Sequence, residues 1–305
     1  MVTMYCSVRA SILRPMPTVL FLTSEEHRDL TDDDRLAANA LAARGITVRP
    51  AIWTDGATDL KSDLLVIRSP WDWTAHKEKF DAFLTKLETD GVRFENRGAR
   101  RFSDKTYLPQ LAERGVAMVP SRFLVAGESF EDAVRDSGWS RLVLKPSLSA
   151  GARRTVRFDA ADVASHVPLA NDILQTGTLL IQPYLPEIER EGEWSLIFFD
   201  GELSHAIKKR PKPGDFRVQD DFGGTVTTES LPDFVVDGAR SALEAARALD
   251  ATGEHFLYAR VDGVVSESRG GFLVNELEVV EPELFLRCDA RAPERFANAI
   301  QKRLG

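Results

Sequence analysis

Between residues 18 and 102 the chain alternates short apolar runs with longer stretches of helical periodicity, the pattern of a parallel sheet built with crossover helices. The runs 18–22, 47–52 and 64–68 read as buried strands. Segment 32–44 opens on three aspartates and stops at Gly45, a helix with an acidic first turn and a glycine terminator. Segment 77–89 sets Phe80, Phe83, Leu84 and Leu87 at helical spacing, and Gly91 closes it before a short strand at 92–94. Together these predict a small open α/β domain.

Beyond residue 102 the texture changes to helix and antiparallel-strand signals. Residues 105–114 read as a helix ended by Gly115, and 142–145 with 155–158 as a hairpin whose connection holds Ser147, Ser149 and Gly151. A second hairpin, 193–199 with 202–208, turns at Asp200-Gly201, a two-residue tight-turn signal. A helix over 234–249 precedes a last hairpin, 257–265 with 271–280. No repeat or low-complexity tract occurs. The predicted division is an extension at 1–17, then units at 18–102, 103–183 and 184–305.

A chain of 305 residues exceeds what one core usually supports, in keeping with several packed units. Lys and Arg number 39 against 47 Asp and Glu, a formal charge of -8 that disfavours nucleic acid as a partner. No apolar stretch reaches the roughly 20 residues of a membrane helix, so a soluble protein is expected, with no membrane partner. Cys6 and Cys288 offer neither a disulfide framework nor a metal pairing, which suits a reducing cytoplasm. Residues 1–15 lack the apolar core of a signal peptide and read as an extension or a misassigned start. The histidines at 27, 76, 166, 205 and 255 have no ligand spacing. The sequence leaves the oligomeric state open, a dimer included.

The last hairpin carries the densest chemistry. Side chains two apart on a strand share a face, so Arg260 pairs with Asp262 on one strand and Glu276 with Glu278 on the other, while Leu277 and Val279 point into the apolar layer. If the two polar faces coincide, three carboxylates and a guanidinium converge. Unpaired, such carboxylates repel by several kcal/mol and call for cations. Magnesium, which takes one or two carboxylates plus phosphate oxygens, is one answer; cross-strand ion pairs are the other.

Lys145 ends an apolar strand, and the small loop 147–151 after it is either a backbone cradle for phosphate oxygens or a plain hairpin turn. It is no phosphate-binding loop of the Gly-Lys-Ser/Thr kind, because a strand follows it. Lys208, Lys209, Arg210, Lys212 and Arg217, with Gly214, Gly223 and Gly224, form a basic glycine-rich stretch, either a mobile anion-binding loop or a solvated one. At the carboxyl ends of the first strands, loops 23–32 and 68–74 are where open α/β sheets bind ligands. There Arg68 suits a substrate carboxylate and Asp72 an amine, with Trp71 and Trp73 as pocket walls or as interdomain packing.

In order, Lys105; Leu144-Lys145-Pro146; Ile181-Gln182-Pro183-Tyr184-Leu185; Gly192-Glu193-Trp194-Ser195; Gly214-Asp215-Phe216-Arg217; Arg260-Val261-Asp262; and Asn275-Glu276-Leu277-Glu278 resemble the ATP-grasp superfamily from about residue 103 to 282. The segment Arg68-Ser69-Pro70-Trp71-Asp72 resembles the substrate-side domain of the glutathione-synthetase-like branch, and within it the cyclo-ligases that make cycloserine from O-ureidoserine. The resemblance implies an N-terminal α/β domain, a central lid and a C-terminal antiparallel catalytic domain. It implies a ligase that uses ATP and magnesium, with two ions, to join a small carboxylate and an amine through an acyl phosphate. A small-molecule kinase and a nucleotide-binding module without turnover are the alternatives.

By the same resemblance Lys105 and Lys145 would meet the nucleotide phosphates, with Ser147, Ser149 and Gly151 in the flap above them. Gln182, Tyr184 and Leu185 would line the adenine hinge, and Glu189, or else Glu187, would take the ribose. Asp262, Glu276 and Glu278 would hold magnesium, while Arg260, Arg217 and Lys209 would neutralise the transferred phosphoryl group. Arg68, Ser69, Trp71 and Asp72 would face the substrate. The usual Glu-x-Asn ending is replaced here by Glu276-Leu277-Glu278, a more anionic site.

Overall fold

The computed structural model of the chain describes residues 16–149, 151–218, 222–250 and 253–305. The expected extension at 1–15, with Cys6, lies outside the described residues.

The first apolar runs form β1 (Thr18–Thr23), β2 (Thr47–Ile52) and β3 (Leu64–Ser69), a parallel sheet in the order β2-β1-β3. Between them lies α1 (Asp32–Ala42), whose cap Thr31 accepts from the Asp34 N–H at 3.1 Å. After β3 comes α2 (Lys77–Thr89). Residues 92–94 do not form the expected strand. Only Phe94 bridges to Leu65, because the chain turns away at Asn96, whose φ is 57°. The expected helix at 105–114 is shorter too: a 3-10 turn, Lys105–Tyr107, leads into α3 (Leu108–Ala112).

Four strands follow: β4 (Arg122–Leu124), β5 (Arg141–Pro146), β6 (Val156–Asp159) and β7 (Leu179–Pro183), antiparallel in the order β4-β7-β5-β6. The expected hairpin is present, with Leu142 opposite Phe158. Between these strands α4 (Phe130–Ser137) and α5 (Val167–Leu174) place Phe130, Val134, Ala170 and Ile173 over Leu142, Leu144, Leu179 and Ile181. Periodicity did not reveal either helix, since eight residues carry barely two turns of pattern.

After α6 (Pro186–Arg190), β8 (Glu193–Phe199) and β9 (Glu202–Arg210) turn at Asp200 (φ 51°) and Gly201 (φ 83°), the left-handed pair that a tight hairpin needs. They join β10 (Thr225–Thr227), β11 (Tyr258–Ser266) and β12 (Gly271–Glu278) in the antiparallel order β10-β9-β8-β11-β12, with α7 (Asp233–Leu249) between β10 and β11. The chain closes with α8 (Ala292–Leu304), which no expectation anticipated. Its Phe296 stacks on Phe199 at 4.9 Å and meets Phe21 of the parallel sheet at 6.4 Å, so the first and last parts of the chain share one core. Emptying such a position costs about 3–5 kcal/mol, which makes α8 a structural tie between them.

Candidate active site

The register of the last hairpin brings its two polar faces together. Asp262 lies opposite Glu276 and Arg260 opposite Glu278, while Leu277 and Val279 are buried in the core. On the other flank of β11, Ser195 of β8 lies opposite Asp262, and Glu193 lies opposite Lys209 of β9. Side chains from four adjacent strands therefore line one face.

A bulge shapes that face. Register shifts between Asp262 and Gly263, so Asn275 is an extra residue on β12. Its amide donates to Glu193 Oε1 at 2.9 Å. A Cβ at position 263 would lie 2.6 Å from the Leu273 carbonyl, which is why the bulge sits at a glycine.

These carboxylates are paired with cations. Asp262 accepts from Arg260 Nε and Nη2, both at 3.0 Å, from Ser195 Oγ at 2.5 Å and from Lys209 Nζ at 3.2 Å. Although burial opposes its charge, Arg260 and Lys209 hold it well below the usual carboxylate range. Lys209 also meets Glu193 at 2.8 Å; burial works against its ammonium, but Asp262 and Glu193 prevail and push it up to about 12. Glu276 binds Lys105 Nζ at 2.8 Å, and Glu278 pairs with Arg260. The cross-strand ion pairs of the alternative reading are thus real.

Lys105 reaches Glu276 because of the turn that carries it. Asp104 caps that turn, and the Tyr107 hydroxyl both accepts from Leu277 N and donates to Leu277 O, at 2.8 Å each, so the turn is pinned on β12. In the loop after β5, Ser149 O accepts from Lys105 Nζ at 3.1 Å, and Ser147 Oγ donates to Asp104 at 3.1 Å. Lys145 of β5 faces the same space; burial and the neighbouring Lys105 lower it to about 8.

Among the described residues no group of three or more acidic, histidine or cysteine side chains closes on a single metal position. The donor chemistry nevertheless fits magnesium. Burial raises Glu278 to about 8 despite Arg260, with Glu276 and Asp262 adding to the rise, so its negative charge is under-compensated. The Glu276 and Glu278 side chains keep 22% and 31% exposure, whereas Asp262 is saturated by Arg260, Lys209 and Ser195.

Other expected residues stand apart from this cluster. Arg217 is held by Asp215 at 2.8 Å in its own turn and lies over Phe222, so it is not brought to the carboxylates. Glu189 pairs with Arg157, which covers the Tyr184 ring at 5.0 Å. Glu187 is buried and accepts from Ser266 Oγ at 2.8 Å. The Tyr184 N–H is bound to Arg141 O at 2.9 Å and the Gln182 amide to Ser121 Oγ at 2.9 Å, while the Leu185 side chain is buried beside Val264. Gly151 opens the tight turn after the described part of the flap.

The substrate-side expectations are corrected most. Arg68 is 1 % exposed, bound to Asp34 at 2.9 Å and to Pro282 O at 3.2 Å, with Tyr258 and Phe296 against its guanidinium. Ser69 is buried between Thr23 and Asp34. Asp72 accepts from the Trp53 indole at 2.7 Å. Ser69 and Asp72 are engaged within the first unit, while Arg68 ties that unit to the segment after β12. The tryptophans do likewise: Trp71 Nε1 donates to Glu281 O at 3.0 Å and Trp73 Nε1 to Glu281 Oε1 at 2.5 Å. Glu281, like Glu193, Ser195 and Asn275, had no expected role. Burial raises its carboxyl to about 7, against the Trp73 hydrogen bond, with Glu276 contributing further.

The family model of the N-terminal domain of D-cycloserine synthetase DcsG matches residues 19–96. The chain is 34% identical over 281 residues to the cycloserine biosynthesis protein DcsG of Streptomyces lavendulae, covering 85% of this chain and 90% of that protein. The crystal structure of D-cycloserine synthetase DcsG superposes with a TM-score of 0.86 at 28% identity, over 94% of this chain and 100% of the other. The D-alanine–D-alanine ligase of Bacillus anthracis complexed with ATP shares the fold, with a TM-score of 0.64 at 16% identity over 94% and 97% of the two chains. The chain is therefore an ATP-dependent, ADP-forming carboxylate–amine ligase of the ATP-grasp class. Within that class it belongs to the family of the cycloserine biosynthesis protein DcsG.

Proposed function

We propose that the chain activates the carboxylate of a ureido amino acid of the O-ureidoserine kind with ATP and closes it on its own nitrogen, as a cyclo-ligase. The observation that carries this reading is the convergence of Lys105, Lys145, Lys209 and Arg260 on the carboxylate face of β11 and β12.

Lys105 and Lys145 take the phosphate oxygens, and the loop 147–151 covers them. Glu276 and Glu278, with Asp262 behind them, hold magnesium, which orients the triphosphate and offsets its charge. Arg260 lies beside the transferred phosphoryl group and disperses the charge that develops there. The substrate carboxylate attacks the γ-phosphorus, ADP leaves, and the resulting acyl phosphate is captured by nitrogen with loss of phosphate. Tyr184 and Leu185 flank the base, and Glu189 is the carboxylate at the open edge for the ribose once Arg157 yields it. The Glu189–Arg157 pairing and the buried setting of Glu187 support that choice.

The test is an ADP-release screen of ureido compounds, amino acids and dipeptides, with hydroxylamine added in parallel. O-ureidoserine should release ADP, and trapping should give a hydroxamate. ADP release without any hydroxamate would favour a hydroxyl kinase, and no release with any ureido compound would remove the substrate class.

A further inference from the structure

The carboxylates on β8, β11 and β12 have cationic partners: Asp262 has Arg260 and Lys209, Glu193 has Lys209, Glu276 has Lys105, and Glu278 has Arg260. Glu281 differs. Among the described residues no lysine or arginine pairs with it, and its side chain contacts one donor, the Trp73 indole at 2.5 Å on Oε1. Its backbone is fixed as well, since its carbonyl accepts from Trp71 Nε1 at 3.0 Å. The segment on either side is immobilised by the Tyr258 hydroxyl on Val280 O at 2.8 Å and by Arg68 on Pro282 O. Glu281 is half-buried, and Glu276, Glu278, Arg260 and Lys105 are charged groups that act on it.

A carboxylate left without a cation in a partly dry site costs free energy unless something else donates to it. Here that acceptor stands where the tryptophan-bearing loop of the first unit meets the end of β12. We propose that Glu281 is a specificity-determining residue whose free Oε2 accepts the N–H groups of the nucleophilic nitrogen, oriented by Trp73. The ligand chemistry this selects is a nitrogen bearing hydrogen-bond donors, such as a ureido group, beside the carboxylate to be activated. The assignment rests on the substrate class proposed above and adds the residue that reads its nitrogen end.

The test is calorimetric binding of O-ureidoserine, and of its analogue methylated on every ureido nitrogen, to wild type, Glu281→Gln and Trp73→Phe. Each titration is run with magnesium and a non-hydrolysable ATP analogue present. Glu281→Gln should weaken O-ureidoserine binding roughly 10- to 100-fold, the scale of a lost charge-assisted hydrogen bond. Binding of the methylated analogue should not distinguish the variant from wild type, because the donors are gone, and affinity for the ATP analogue should stay within about twofold. Trp73→Phe keeps an aromatic ring but loses the indole N–H and part of the side-chain volume, so it should show the same pattern at smaller amplitude even if Glu281→Gln folds poorly. An equal loss for both ureido compounds, no loss for either, or a matching fall in nucleotide affinity would overturn the assignment, the last by making Glu281 a metal ligand. Failure of the wild type to bind O-ureidoserine at all would overturn the substrate class itself, and the assignment with it.

Discussion

Lys105 Nζ and Glu276 Oε1 lie 2.8 Å apart, although the first sits in the turn entering the central unit and the second on the last strand of the chain. On the function proposed above, the cation for phosphate and the carboxylate for magnesium are each other's partners, so that binding of magnesium and ATP would exchange one set of charge pairs for another.

Glu276→Gln should lower turnover by orders of magnitude, because it removes a full charge from the ion site. It should also lower stability by about 1–2 kcal/mol, since Lys105 loses its charged partner in a largely buried position. Denaturant midpoints measured without ligand check the second effect. The additional stabilisation that magnesium-ATP gives the folded state should shrink in parallel. Normal turnover at limiting magnesium would make the hairpin purely structural.

Lys145 links nucleotide affinity to pH. Burial and Lys105 hold it at about 8 in the free enzyme, and contact with phosphate favours its charged form. Binding should thus be strongest below pH 8 and weaken as pH rises above it, with a proton taken up on binding near pH 9. Calorimetry in two buffers of different ionisation enthalpy measures that uptake, which Lys145→Met should abolish along with much of the affinity. The sign for folding is opposite: a lysine lowered from its ordinary value destabilises the fold below about pH 8, so this contribution to stability improves between pH 8 and about 10.

Strand periodicity and turn residues made the parallel sheet, the β8–β9 and β11–β12 hairpins and α2 legible, because two-residue alternation and glycine stops are local signals. Alternation grouped Arg260 with Asp262 and Glu276 with Glu278, and the register of the hairpin then set Asp262 opposite Glu276. Asn275 did not, since a bulge breaks the alternation at that residue, and Glu193 lay on a strand whose register no local pattern reveals. Arg68 was misread for a related reason: an arginine at a strand end looks like a ligand group until tertiary packing supplies Asp34 from α1 and Pro282 O from over two hundred residues away.

Arg68 and Asp34 form an ion pair at 2.9 Å with side chains 2% and 1% exposed. Removing one partner of such a pair costs about 3–5 kcal/mol, because the survivor is left charged and dry. Asp34→Asn and Arg68→Leu should each lower the unfolding free energy by that amount, as read from denaturant titration. Whatever activity remains at low temperature should keep wild-type KM values for both ATP and substrate. A selective rise in substrate KM without lost stability would return Arg68 to the substrate pocket.

The bulge at Gly263 gives the most direct test of how backbone shape sets the chemistry. A methyl group there meets the Leu273 carbonyl at 2.6 Å and the Phe272 ring at 2.4 Å. The ring can rotate away, but the carbonyl belongs to the paired strand and moves only if β11 and β12 separate locally. Gly263→Ala should therefore cost about 1–3 kcal/mol of stability, as overpacking does. It should also shift Glu276 and Asn275 relative to Asp262, the residues on either side of the irregularity. Since an ångström of misplacement at a phosphoryl-transfer site costs far more in rate than in binding, kcat should fall more than KM for ATP rises. Lost stability with unchanged kcat would mean that the bulge serves packing alone.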